Sequence, residues 1–501
     1  MLNTILFSDE ITLWWDKEWD RPDDPAYRLT LNPGKTVLTT PYTHVTFAGL
    51  TPATAYTVTA ERIEADGTAT PLETLSLRTP EAKRRLDVTA APYFAVGDGV
   101  TLNTAALQRA LDDCGEGDVV YFPAGDFLSG ALDVHSHTEI YLEAGATLRG
   151  TAVLAEYLPK VRSRFEGIEG DCYRSLLNIG TLDAKGPFNC HDIVIRGSGA
   201  ILGGGAPLAE ATLATERERL AEFMAKNADY VKTCENENTL PGRARGRLLA
   251  INNCDGVIIA GLTLGFAASW NVHFTYCRDV VTYGCRILSR GVWNGDGWDP
   301  DSSENSVLFD TEFDTHDNSI AIKSGKNPEG NLIGRPTVGV RIFHCRGGEC
   351  MAVGSEMSGG VEDVFIWDCD FTAGRAGIGL KVTPKRGGYI RGVRVRSSRF
   401  VNLRARSVTF NDDGEPSGEM SRVSDVLFEK VTMTGISRHP DGKLTPTEAL
   451  YIAGLEGEEN HFSRFTFRDL RLPVLADCQR ICIRNVKDLT LSGVSFFEDK
   501  D

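Results

Sequence analysis

The sequence predicts an all-β chain in which a small sandwich of strands precedes a long parallel β-helix. Three observations carry this prediction. Over the first ~80 residues apolar and polar side chains alternate in short steps, with many Thr and Pro and little helical period. From Leu86 onward a shared Asp/Gly/Ser-Val-x-hydrophobic step recurs at Val257, Val280, Val307, Val340, Val364, Val393 and Val426, at intervals of 23, 27, 33, 24, 29 and 33 residues. Each repeat is built of strands of about four residues between Gly, Asn and Asp turns, with no helix long enough for a leucine-rich or helical repeat. A chain of 501 residues with 51 Gly, 42% hydrophobic and 24% charged residues is too long for one compact core and is neither disordered nor fibrous.

Taken in order, the stretch Gly49 to Val58 resembles the turn and tyrosine strand of a fibronectin type III domain, so the front domain is placed at residues 1–82. A charged linker, Thr79 to Arg85, leads into the β-helix of residues 86–501. After Phe94 to Gly99, the helical run Asn103 to Cys114 is expected to cap the first coil and protect its open edge. Val119 to Gly125 and Ile140 to Ala146 read as strands closed by glycine turns. Phe313, Ile320, Ile322, Phe371, Ile378, Leu380 and Phe400 are expected on the inner side of the coils. Residues 206–240, with Glu216 to Arg219, read as a helical insertion, either a surface excursion or part of the binding face.

Composition narrows the partners. A formal net charge of -16 repels nucleic acid and anionic membranes, and a polyanionic sugar would need a local basic patch to bind. No apolar run reaches the ~18 residues of a membrane span. Met1 to Trp15 lacks the basic start and cleavage site of a secretory signal, so a cytoplasmic location is expected. The 12 cysteines form no CxxC pair and no zinc spacing, and most are expected to be small buried hydrophobes. A homo-oligomer is compatible with the sequence.

Chemistry concentrates in Trp293 to Ser303 and, one coil later, in Phe313 to Gly325. Asp296 and Asp317 are 21 residues apart, which places them on neighbouring turns of one face. Two adjacent carboxylates repel, raising the pKa of one while the other stays ionised, so identical side chains supply an acid and a base. Glycoside hydrolysis requires this division, and inversion requires carboxyl groups roughly 6.5 to 9.5 Å apart. Trp270, Trp293 and Trp298 read equally as sugar platforms or core fillers.

Asn294 to Ser303, Thr315 to Gly325 and Gly354 to Gly360 resemble the polygalacturonases of glycoside hydrolase family 28, the bacterial exo-acting members above all. The likeness runs from about Asp87 to Phe410 and includes Phe122 to Gly125 and Arg386 to Tyr389. It implies a right-handed parallel β-helix and, for some exo enzymes, a fibronectin-like domain in front. It further implies that Asp317 is the general acid and Asp296 a water-activating carboxylate, that Asp299 is a second acid beside it, and that Lys381 contacts a substrate carboxylate. This chain departs from the family in four places. The usual paired aspartates read Asp317-Asn318, Gly-His-Gly becomes Gly347-Gly348-Glu349, Arg-Ile-Lys becomes Gly379-Leu380-Lys381, and His316 stands where glycine is usual. An amide positions water but takes no proton from it, so Asp296, aided by Asp299 and Asn318, is left as the base.

The expected activity is therefore an inverting, exo-acting glycoside hydrolase on pectin-derived or related plant oligosaccharides and glycosides. Losing the bidentate arginine shifts its preference away from plain polygalacturonate. Asn294, Trp298, His316, Lys323, Glu349, Lys381 and Arg386 are the candidate substrate contacts, with Lys326 and Lys385 adding positive charge. No cofactor or metal is required. Two alternatives stand beside this reading: a catalytically impaired carbohydrate-binding protein, motivated by Asn318 and the missing His and Arg, and a calcium-dependent β-helical pectate lyase.

Overall fold

The computed structural model describes residues 1–19, 21–408, 413–458, 461–474 and 481–498. The chain divides into two units, Met1–Arg85 and Leu86–Asp501.

The first unit holds strands β1 (Asn3–Phe7), β2 (Glu10–Trp14), β3 (Ala26–Asn32), β4 (Thr36–Thr40), β5 (His44–Ala48), β6 (Ala55–Ile63) and β7 (Ala69–Arg78). They form two antiparallel sheets, β1-β2-β5 and β4-β3-β6-β7. Strict alternation makes β3 a half-buried strand: Tyr27, Leu29 and Leu31 point inward and meet Ile11, Leu13, Phe47 and Val58. Tyr56, on β6, accepts a hydrogen bond on its hydroxyl from the Thr51 backbone N–H at 3.0 Å. A strand tyrosine tied back to the turn before it is a hallmark of immunoglobulin-like sandwiches.

The second unit is a right-handed parallel β-helix. Successive coils contribute one strand each to three parallel sheets, here called I, II and III, of 13, 13 and 11 strands among the described residues, the first and last described coils giving none to sheet III. In sheet I the inward positions stack as Val257, Val280, Ser306, Val340, Val364, Val393 and Val426. Six of the seven residues aligned from sequence stand in this column; Val307 does not. Ser306 occupies its place, and Val307 lies one residue on, paired with Val281 and Arg341. The physical marker of register is the residue before each member, which takes a left-handed φ: Gly256, Asp279, Asn305, Gly339, Asp363, Gly392 and Asp425, between 53° and 80°. Gly, Asn and Asp tolerate that conformation best, which is why they recur at this step.

The inner column is apolar and continuous; Phe313, Ile320, Ile322, Phe371, Ile378, Leu380 and Phe400 all belong to it. The helix Thr104–Asp112 closes its first coil, burying Leu107, Ala110 and Leu111 against the column. None of the 11 described cysteines forms a disulfide, and Cys254, Cys277, Cys285, Cys345 and Cys369 are buried in this core. Cys478 lies outside the described residues. No helix among the described residues is long and apolar enough to cross a membrane.

Excursions leave the solenoid repeatedly at the corner between sheets II and III. The hairpin Val161–Phe165 with Ile168–Cys172 departs there, as does the helical insertion one coil later, with helices at Gly205–Lys226, Ala228–Val231 and Thr239–Gly242. A second hairpin, Ile436–Arg438 with Leu444–Pro446, leaves the same corner on a later coil.

Candidate active site

The acid-rich segments fall at this corner and on the outer face of sheet III. In the strand Trp298–Asp301 side chains alternate, so Trp298 turns into the core beside Val272 and Ile320 while Asp299 and Asp301 turn outward. Trp298 is fully buried, its ring edge-on to Phe274 at 5.2 Å and its Nε1 donating to Thr282 Oγ1 at 3.1 Å. The expected sugar contact at Trp298 is therefore corrected: it fills the core.

Asp296 and Asp317 line one cavity of about 200 Å³, together with Trp270, Trp293, Asn294, Asn318, Lys323 and Lys381. Their stretches belong to neighbouring coils: the N–H groups of Gly297 and Trp298 donate to the carbonyls of Asn318 and Ser319 at 3.0 and 3.1 Å. Three further carboxyl groups join the lining, Glu166 from the hairpin, Glu235 from the helical insertion and Glu356. Glu356 lies within the Gly354 to Gly360 segment, so a signal for it existed. Glu166 and Glu235 sit in excursions whose path no repeat pattern specifies, and the sequence reading missed them.

Lys323 is the electrostatic hub. Its Nζ lies 3.2 Å from Asp296 Oδ2, 3.3 Å from Asp299 Oδ2 and 3.9 Å from Glu356 Oε2, and 3.2 Å from the centroid of the Trp270 ring. Burial works against its charge, but Asp299, Glu356 and Asp296 outweigh burial and push its pKa up. Burial pushes the Asp296 carboxyl up to about 7; Asp317 and Glu356 add repulsion, and Lys323 pulls the other way. Asp299 is driven well above the ordinary carboxylate range, first by burial. It is fully buried, neither oxygen completes a hydrogen bond, and it lies beneath the cavity rather than on its wall.

Buried arginines brace this surface. Arg245 donates to the Trp293 carbonyl at 2.7 Å and to Asn294 Oδ1 at 2.6 Å, and its guanidinium lies 4.2 Å from the centroid of the Trp293 ring. Asn294 is thus held from behind in a left-handed turn, φ 50°. Arg164 donates to Asp301 Oδ1 at 2.8 Å, and this charge, against the effect of burial, holds Asp301 well below the usual carboxylate range. His273, 3.4 Å from Asp301 Oδ2, is pushed down to about 3 by burial and is neutral at neutral pH.

The remaining candidates divide. Lys381 lines the cavity and donates from Nζ to Asn318 Oδ1 at 3.0 Å. His316 is exposed, and its Nδ1 accepts from the Gly291 N–H at 3.3 Å. Glu349, expected in the cleft, is instead clamped between Arg290 at 3.2 Å and Arg375 at 3.1 Å and does not line the cavity. Arg386, expected as a source of positive charge at the site, is fully buried and donates to the Ser355 carbonyl at 2.8 Å. It braces the backbone next to Glu356.

Comparison with known proteins agrees with the β-helical fold. The sequence profile "Rhamnogalacturonase A/epimerase, pectate lyase-like" matches residues 89–151. The chain is 27% identical over 452 residues to an exo-poly-alpha-D-galacturonosidase of Dickeya chrysanthemi, covering 85% of this chain and 73% of that protein. It is 30% identical over 328 residues to a probable polygalacturonase of Vitis vinifera, covering 62% and 60%. Among solved structures, the family 28 exopolygalacturonase of Yersinia enterocolitica shares the fold with a TM-score of 0.83 at 20% identity, covering 100% of this chain and 96% of that one. The exopolygalacturonase of Thermotoga maritima does so with a TM-score of 0.66 at 23% identity, covering 83% and 92%. The profile "Glycosyl hydrolases family 28" matches residues 225–487, the region that carries both Asp296 and Asp317, and the chain belongs to that family of glycoside hydrolases.

Proposed function

We propose that the protein is an inverting, exo-acting hydrolase that releases a terminal sugar from pectin-derived oligosaccharides. The carrying observation is that Asp296 and Asp317, brought from neighbouring coils, line the same small cavity. In this reading Asp317 protonates the glycosidic oxygen and Asp296 takes the proton of the attacking water. Lys381 occupies the Asn318 carbonyl oxygen, leaving the amide N–H₂ to hold that water. Asp299, in this arrangement, acts through Lys323 and not on the water. Exo action is supported by Glu166 and Glu235, which bring the hairpin and the insertion against the cavity from the earlier coils. The names of the relatives favour galacturonides as the substrate.

A second reading concerns the terminal residue. Five carboxyl groups and two ammonium groups line the cavity, and one ammonium, Lys323, already neutralises acids. That balance favours an uncharged sugar at the end of the chain. Incubation with defined pectic oligosaccharides, following the released sugar and its anomer by proton NMR, tests both readings. Inverted product from the chain end is expected, with Asp317→Asn lowering kcat by about 10²- to 10⁴-fold. Retained configuration, or an Asp317→Asn variant of near-full turnover, would overturn the mechanism.

A further inference from the structure

We propose that Trp293 is the platform on which the terminal sugar stacks, its indole taking the apolar face of a pyranose whose O4 is axial. The proposal rests on the hydrolase reading above and deepens it by naming the side chain that selects the ring at the chain end.

Three tryptophans stand near the acids, and one of them is left for a ligand. Trp298 is buried in the core. Trp270 lines the cavity, but both its faces are taken. Phe165 stacks on it in parallel at 4.5 Å between centroids, so Lys323 Nζ, 3.2 Å from the ring centre, covers the opposite face. Trp293 also lines the cavity and is half-buried. One face carries the Arg245 guanidinium at 4.2 Å, and no second ring or cation stacks on it among the described residues. Its indole N–H finds no acceptor among those residues either, which leaves a donor for a sugar hydroxyl.

The ring is fixed before substrate arrives. It stands at the corner between sheets II and III, in the connection from strand Arg286–Leu288 to strand Trp298–Asp301. Arg245, fully buried, donates from Nε to the Gly242 carbonyl at 3.0 Å as well as from Nη1 to the Trp293 carbonyl at 2.7 Å. It thereby ties the end of the helical insertion to the coil of Asp296. Gly242 sits against the ring edge: a Cβ there would lie 2.9 Å from Trp293 Cζ3 and 3.1 Å from Cη2. A flat surface held on two sides has little freedom left to lose when a ligand binds.

Sugar stereochemistry then names the occupant. With O4 axial, the C–H bonds at C3, C4 and C5 of a pyranose all point to one side and form an apolar patch; with O4 equatorial, the one at C4 points to the other side. Such a patch covers an indole face, while the hydroxyls around it meet polar groups of the wall such as Asn294 and Asn318. The contact is indifferent to charge at C6, so it serves a galacturonate and an uncharged sugar of the same configuration alike.

The test is made in the full chain. Trp293→Ala is expected to raise KM for galacturonate oligomers about tenfold, with a smaller change in kcat, because stacking is made in the ground state as well as in the transition state. The methyl esters of these oligomers should lose at least as much as the acids. Trp293→Phe, which keeps a flat ring, should restore part of the loss; Trp293→Leu, apolar without a face, should not. Gly242→Ala, which presses a methyl group against the ring edge, should raise KM in the same sense. Binding is followed separately by tryptophan fluorescence in Asp317→Asn, with methyl α-galacturonide and its 4-epimer, methyl α-glucuronide, as titrants. The galacturonide should bind more tightly and change the fluorescence, and adding Trp293→Phe should remove most of that signal. An unchanged KM in Trp293→Ala, a loss confined to the acids, full rescue by leucine, or equal binding of the two epimers would each overturn the platform. A native-like circular dichroism spectrum for Trp293→Phe and Trp293→Leu separates lost contact from lost fold. The hydrolase reading fails separately: if the parent chain releases no sugar from any oligomer, the reaction falls, and the fluorescence titrations decide the platform alone.

Discussion

At Asp296 the protein holds a carboxyl in a setting that opposes its ionisation, because the group is buried and faces Asp317 and Glu356, with Lys323 as the counterweight. The raised value, about 7, fixes the sign of two pH effects. As a general base Asp296 must be ionised, so kcat/KM should rise with pH up to about 7 and fall away below it. A pH–rate profile that instead declines as pH rises through 7 would make Asp296 the acid and exchange the two roles. Stability runs the other way. Between the ordinary carboxylate range and pH 7 the unfolded chain releases a proton that the native state retains, so stability falls as pH rises across that window and levels off above it. Asp296→Asn removes this dependence. Its midpoint of thermal unfolding relative to the parent should be higher at pH 8 than at pH 4, a difference that scanning calorimetry reads directly. That Asp296 and Asp317 would share a site was legible from their spacing. That Asp299 would be sealed beneath the site was not, because its burial comes from contacts with Lys323 and its surroundings, contributed by other coils.

The coil is the element of this fold, and its register shows what sequence can specify. The left-handed residue before the inward position is Gly, Asn or Asp in seven successive coils, the residue types that take that conformation with least strain, and Arg464 before Phe465 breaks the pattern one coil later. The eye follows valine, however, and at one coil valine misleads: Asn305 is the marker, so Ser306 points inward and Val307 does not. Ser306 is fully buried between Val280 and Val340, with an Oγ that finds no hydrogen-bond partner. An unsatisfied hydroxyl in an apolar column costs about 1 to 3 kcal/mol. Ser306→Val should therefore raise the midpoint of chemical denaturation without altering its slope, whereas a loss of stability would mean the column has no room for the added methyl. Trp298 teaches the same lesson. Alternation in Trp298-Asp299-Pro300-Asp301 already turns the tryptophan inward once the strand is recognised, but a tryptophan among acids also suggests a sugar platform. The excursions lie beyond this logic. Hairpin and insertion carry no repeat, so their meeting at the cavity through Glu166 and Glu235 depends on tertiary packing alone.

Over the whole molecule, two fields of opposite sense act on an acidic substrate. The net charge of -16 repels it at long range, while Lys381, on the cavity wall, attracts it locally. Range decides which governs which step. At low ionic strength the Debye length, about 30 Å at 0.01 M, lets the summed charge of the protein reach an approaching oligosaccharide; at 0.15 M it shrinks to about 8 Å. Only the cations beside the bound chain then act on it with much of their strength. Capture of an acidic oligomer should therefore quicken as salt is added, because the repulsion lost is long-ranged and the attraction retained is short-ranged. The expected outcome is a rise in kcat/KM for galacturonate oligomers, severalfold between about 0.01 and 0.15 M salt, and an almost flat response for their methyl esters. Initial rates at substrate concentrations well below KM measure this directly. A fall in kcat/KM over the same range would mean that the cations at the cavity steer the substrate from a distance despite the acidic whole.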